Sequence, residues 1–162
     1  MKPLISLLDR SLYWLLALLM TLMVLDVTWQ VLTRFVMSQP SSFTEELAGF
    51  LLIWIGILGS AYAFRFNAHL GLDLITAKLT GASALNVRRI GLLVSFAFAA
   101  GVMVLGGGYL VQMTFELNQV SAALGIRMGY VYLAVPFSGL LICVYALAFL
   151  FNGLDADQSY SQ

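Results

Sequence analysis

Four long stretches of the chain are apolar at nearly every position, and short polar breaks separate them. The most sharply bounded begins after Pro40. Ser42 and Glu45 have the Ser-x-x-Glu spacing of a capping box, and Glu45 and Glu46 fall in a first helical turn, where the helix dipole favours carboxylates. From Leu47 to Phe64 eighteen residues carry no charge, about enough to cross a ~30 Å hydrocarbon core at ~1.5 Å per residue. Arg65 and His69 close the run. The same pattern predicts spans over about 12–35, 43–64, 90–115 and 128–151, with residues 1–10 as an amphipathic lead. Only residues 36–42 separate the first two spans, so these form a tight hairpin. The third span has no charge between Arg89 and Glu116 and makes roughly 39 Å of helix, which requires tilt or protrusion.

Residues 68–80 break the pattern. His69, Asp73, Thr76 and Thr80 recur on one helical face, and Leu70, Leu74 and Ala77 on another. Such a segment is too short and too polar to span, and it reads as a helix lying in the interface plane. Gly71 weakens that helix by about 1 kcal/mol, which leaves a plain connecting loop as the alternative. Further on, Gly106-Gly107-Gly108 permits a bend or a close approach of another backbone, and Pro136 predicts a kink in the fourth span.

Composition turns these spans into a class. The chain of 162 residues is 61% hydrophobic and 10% charged, against roughly 45–50% and 25% in soluble domains. This is the balance of an all-α integral membrane protein, and its length is that of a single domain. The first apolar run continues past a usual signal-peptide core without a small-x-small cleavage pattern, so it reads as a span. The net charge is zero, so no global field recruits nucleic acid. One cysteine and one histidine exclude an intramolecular disulfide, a bis-histidine haem and a multi-histidine zinc site. There is no Gly-x-x-x-x-Gly-Lys-Ser/Thr loop for ATP. No cofactor is expected.

Charge placement gives an orientation. With the N-terminus inside, Lys2, Arg10, Arg65, Lys78, Arg88 and Arg89 are cytoplasmic, whereas only Arg34 and Arg127 are outside. Six against two, all near span ends, predicts both termini in the cytoplasm, with outer loops at 36–42 and about 117–127.

Asp26 is the sharpest candidate for chemistry. It lies fourteen residues into span one, roughly 21 Å from the inner edge. An ionisable group there costs about 2.5–3.5 kcal/mol, so it is expected to find a partner. Gln30, Thr33 and Arg34 follow at i+4, i+7 and i+8 and extend a polar stripe toward the surface. The stripe reads as a structural contact with another helix or as a proton-coupling site. Glu45 and Glu46 point in different directions, so one caps its helix while the other meets Arg34, Arg127 or a partner subunit. Gly56/Ser60 and Gly59/Ala63 are small-xxx-small pairs, the face on which a second helix approaches closely in lipid. Arg65 and His69 mark the cytoplasmic edge, where Tyr62 and His69 are within reach of lipid headgroups.

The order of these residues also resembles one family. Gln30 and Arg34-Phe35, Phe43-Thr44-Glu45-Glu46-Leu47, Gly59-Ser60-Ala61, Arg65 and His69 recur in sequence, followed by Ala123-Leu124-Gly125-Ile126 and Tyr132-Leu133-Ala134-Val135-Pro136. The chain resembles, over roughly residues 10 to 150, the small membrane subunit of tripartite ATP-independent periplasmic (TRAP) transporters. It departs from the family's pattern at Phe43, where Trp is common, and at Ala48-Gly49, where a basic residue often follows.

The resemblance implies a bacterial inner-membrane scaffold paired with a large multi-span subunit that carries substrate and sodium ions in an elevator-type cycle. A soluble periplasmic binding protein would deliver an organic acid, with sialic acid and C4-dicarboxylates both in the family's range. The alternative from the residues themselves is a self-sufficient, dimeric four-span proton-coupled exporter using Asp26. A membrane redox enzyme is disfavoured by the single Cys and single His.

Overall fold

The computed structural model describes residues 2–36, 42–67 and 82–151, and among them four helices are long and apolar enough to cross a membrane. Helix α1 (Lys2–Val36) and helix α2 (Ser42–Asn67) are the first two. The third is composite, built from α3 (Ala82–Phe98), a π-helical segment (Ala99–Gly106) and α4 (Gly107–Glu116). The fourth joins α5 (Met128–Tyr132) to α6 (Ala134–Phe151). The expected interfacial helix at 68–80, and His69 with it, lies outside the described residues.

Local sequence accounts for the boundaries. Pro3 sits in the first turn of α1, where a missing N–H costs no helical bond, so the amphipathic lead runs straight into the first span. Helix α2 starts at Ser42, one residue before the expected span. In the fourth span the helix is interrupted at Leu133, not at Pro136 itself. A proline ring clashes with the carbonyl four residues earlier, here that of Tyr132, and the break falls beside it.

Helix α1 packs chiefly along α2. Leu12, Leu16, Leu19, Met23, Asp26, Gln30 and Thr33 recur at steps of three and four, and all but Leu16 are more covered than the residues on either side. This is the seam of two antiparallel helices. Its first half is apolar: Leu12, Leu58, Ala61, Leu141 and Tyr145 form the buried cluster that joins α1, α2 and α6. Its second half is polar.

Helix α6 occupies the centre, against α2 on one side and the third span on the other. Two contacts show how closely. The Ser138 hydroxyl, fully buried, donates to the Ile57 carbonyl of α2 at 2.7 Å. On the other side, a methyl group on Gly139 would stand 2.7 Å from Met103 Cβ and 3.2 Å from the Ala99 carbonyl oxygen. One on Gly107 would stand 2.9 Å from Val135 Cγ1 and 3.3 Å from the Pro136 nitrogen. Close approach is therefore what the glycine triplet serves, through Gly107, since Gly108 faces open space. The π segment supplies the surface that meets Gly139. Its wide i→i+5 turns bring Ala99, Met103 and Val104 to one face.

Candidate functional site

The end of the bundle that carries residues 117–127 is built around one carboxylate. Glu46, in the first turns of α2, accepts backbone N–H bonds from Ala122, Ala123 and Leu124 at 3.1, 2.9 and 2.7 Å. The loop it holds is a small hairpin. Val120 and Arg127 pair as an isolated antiparallel bridge, Ser121 N–H donates to the Ile126 carbonyl at 2.8 Å, and Ile126 N–H donates to Ser121 Oγ at 3.2 Å. Gly125 takes a left-handed φ of 64°, which lets the tip turn back, and Asn118 takes 48° at the exit from α4. Phe115 and Tyr130 stack edge to face at 5.1 Å below the loop, with Gly129 pressed against the Phe115 ring. Successive N–H groups aimed at one point make an anion-binding concavity, and here the chain fills it with its own side chain.

Glu46 bonds to loop backbone rather than to Arg34 or Arg127. Glu45, Arg34 and Arg127 are exposed at the same end of the bundle.

The opposite end, where α1 begins and α6 ends, is held by side chains. Arg65 Nε donates to Asp9 Oδ2 at 3.2 Å, with the two side chains only 18% and 17% exposed. The guanidinium also lies over the rings of Phe66 and Phe149, at 5.5 and 5.3 Å from their centroids. Tyr145 is fully buried beside this pair. Its hydroxyl and Asp9 Oδ1 interact electrostatically, but neither has a partner within hydrogen-bonding distance among the described residues. Sequence reading flagged Arg65 and missed Asp9 and Tyr145. A signal existed for Asp9: it falls three residues before Leu12, on the seam, where an acid needs a base from the opposing helix.

Between the two ends, Asp26 and Thr33 are buried on the seam, and Gln30 is partly covered. Thr33 Oγ1 donates to the Gln30 carbonyl at 3.0 Å. Asp26 Oδ2 is buried without a hydrogen-bond partner among the described residues, so the partner expected for it is not found there. By residue count from the Asp9–Arg65 pair, Asp26 falls near the level of Ala48, which offers no side-chain polar group.

The small-residue face of α2 points away from the bundle. Gly49, Gly56, Ser60 and Ala63 are all exposed, and a methyl group added at Gly49 or Gly56 would meet nothing. Gly56 and Ser60 thus pack against none of the described helices. Ser60 satisfies its hydroxyl within α2, on the Ile57 carbonyl at 2.7 Å.

These features belong to a helical scaffold with outward faces and a fastened loop, and a comparison with known proteins fixes its kind. A family model described as the DctQ component of tripartite ATP-independent periplasmic transporters matches residues 23–156. The chain belongs to that family. The match takes in Asp26, Glu46, Gly56, Ser60, Arg65, Arg127 and Tyr145, whereas Asp9 lies before it. This DctQ-family chain is 26% identical over 139 residues to the sialic acid TRAP transporter small permease protein SiaQ of Vibrio cholerae serotype O1, covering 83% of the chain and 76% of the relative. It is 28% identical over 101 residues to the C4-dicarboxylate TRAP transporter small permease protein DctQ of Rhodobacter capsulatus, covering 62% of the chain and 44% of the relative. It is a multi-pass membrane component of a TRAP transporter.

Proposed function

We propose that this DctQ-family chain is the small, scaffolding subunit of a secondary importer for an organic acid, paired one-to-one with a large multi-span carrier subunit. The observation that carries the pairing is the open small-residue face of α2, which in lipid favours a closely packed neighbouring helix. Gly56 and Ser60 lie at its centre. The carrier subunit would move substrate with an ion gradient such as sodium. The small subunit would anchor its fixed part in the bacterial inner membrane, with both termini cytoplasmic. The relatives named for sialic acid and for C4-dicarboxylates support a carboxylate substrate. Arg34, Glu45 and Arg127 would then face the periplasm and form the charged rim on which a soluble binding protein docks. Arg65, paired with Asp9, would lie at the cytoplasmic edge, with His69 near it.

Copurification tests the pairing. The chain and its carrier subunit should elute as a stable one-to-one complex in nanodiscs, and Gly56→Leu with Ser60→Leu should weaken it. Homodimers alone would sink the scaffold reading. A second reading, a self-sufficient proton-coupled exporter, draws on the unpartnered Asp26 carboxylate. Asp26→Asn separates the two: substantial transport by the reconstituted complex is expected if the residue is structural. Abolished flux with normal assembly would move the assignment to the exporter.

A further inference from the structure

The third span carries one residue more than an α-helix packed along one face would hold. Among the described residues its buried positions are Leu92, Ala99, Gly107, Val111 and Thr114. Leu92 to Ala99 is a step of seven, which returns an α-helix to nearly the same face, and Gly107 to Thr114 is another. Ala99 to Gly107 is a step of eight. Wound as an α-helix, that step would swing Gly107 roughly 80° off the packed face.

The step of eight coincides with the π segment, Ala99–Gly106, whose wider turns take up the extra residue. The Gly107 N–H reaches back to the Val102 carbonyl, five residues earlier. A methyl group on Gly106 would stand 3.8 Å from the Gly101 carbonyl oxygen, also five residues back. Both halves of the span thereby stay on the fourth: Met103 and the Ala99 carbonyl at Gly139, Gly107 at Val135 and Pro136, Phe115 at Gly129. The segment contains no proline and no polar side chain that would widen its turns, so the residue count is the cause at hand.

The rotation matters at the outer end because α4 passes straight into the fastened hairpin. The N–H groups of Asn118 and Gln119 donate back to the carbonyls of Phe115 and Thr114, at 3.1 and 3.2 Å. The hairpin therefore turns with α4, whereas Glu46 stands on α2.

We propose that the π segment is a register device: by storing one residue it sets the rotation of α4 at which the amides of Ala122, Ala123 and Leu124 face Glu46. The glycine triplet belongs to the same device. With Gly106, Gly107 and Gly108 in a row, a slip of one residue either way still brings a glycine to Val135 and Pro136. Length, and not one particular glycine, then fixes the register.

Length variants of the full chain in nanodiscs test this, read by amide hydrogen exchange. Deleting Leu105, which is 73% exposed, leaves Ala99–Val104 in place and makes every step seven. Exchange at Ala122, Ala123 and Leu124 should stay within about twofold of the unaltered chain, while residues 99–107 exchange several-fold more slowly as they become α-helical. Leu105→Ala keeps the count and should change neither. Inserting one alanine after Leu105 turns α4 by about 100° and should speed exchange at the three amides on the order of tenfold. Deleting Tyr109 from that variant restores the count, with Gly106 in the place of Gly107, and should restore protection. This compensated variant serves where the insertion alone fails to enter the membrane.

Loss of protection at residues 122–124 on deletion of Leu105, or failure of that variant to insert, would overturn the register device. So would protection that survives the insertion, because the hairpin would then be indifferent to the rotation of α4. Exchange at 99–107 that stays as fast without Leu105 would mean that packing on Gly139, and not residue count, holds the π turns. A compensated variant that stays unprotected would place the cause in the particular residues removed and not in their number.

Discussion

Each end of this bundle is fastened by a carboxylate, and the two fastenings differ in what the carboxylate meets. At the loop end Glu46 meets three backbone N–H groups of residues 122–124. At the termini end Asp9 meets the guanidinium of Arg65, itself laid over Phe66 and Phe149. Backbone donors are present whatever side chains other than proline residues 122–124 carry, so the first clasp is specified chiefly by Glu46. The second is specified by two positions on different helices, and it stands next to the buried Tyr145. The loop end is thus tolerant of change on one side and intolerant on the other. The termini end depends equally on both partners, and its partners are interchangeable in sign.

The largest effect that sharpens this contrast is expected from Arg65→Ala. It leaves the Asp9 carboxylate largely covered and unpaired, and should cost about 1–3 kcal/mol of stability in thermal or denaturant unfolding of the detergent-solubilised chain. A loss below the scatter of the measurement would mean that water reaches the pair freely and that the aromatic rings, not the charges, close this end.

Charge exchange follows. Asp9→Arg combined with Arg65→Asp should recover at least half of what Arg65→Ala loses, because a side-chain pair has two signs to trade. The loop end has no such exchange. Glu46→Lys should expose the amides of residues 122–124 to hydrogen exchange, and adding Ala123→Glu should not restore their protection. Recovery there would show that the loop is held by side-chain charge and would erase the distinction.

A smaller change is expected from Gly129→Ala, whose methyl would lie 2.6 Å from the Phe115 ring. The ring must shift and weaken its edge-to-face contact with Tyr130, at a cost of about 1 kcal/mol. Near-ultraviolet circular dichroism of the aromatic signals should change with it. The smallest effect is Tyr145→Phe, expected within about 0.5 kcal/mol because the hydroxyl has no partner within bonding distance to lose. A larger cost would make Tyr145 a third member of the Asp9–Arg65 fastening.

Much of the architecture is already present in the order of residues. Long uncharged runs cannot stay in water, and inside lipid a backbone must satisfy its own hydrogen bonds, so helix type and span positions follow from hydropathy and length alone. The start of α2 beside the Ser-x-x-Glu spacing is legible for a similarly local reason: the atoms of such a cap lie within one turn of each other. The family is legible too, because its residues recur in a fixed order along the chain.

What tertiary structure decided is everything that depends on which faces meet. The pair Asp9–Arg65 joins positions fifty-six residues apart, and the bonds from Glu46 to Ala122, Ala123 and Leu124 join positions seventy-six to seventy-eight apart. No local rule selects these from the other acids and donors. The small residues of α2 carried the expectation of a close neighbour, but only the packed bundle turned that face outward. Gly107 and Gly139 were chosen from fourteen glycines by the approach of two backbones. Asp26 is the instructive remainder: its depth was readable from the sequence, whereas only the packed helices bury its Oδ2 without a hydrogen-bond partner among the described residues.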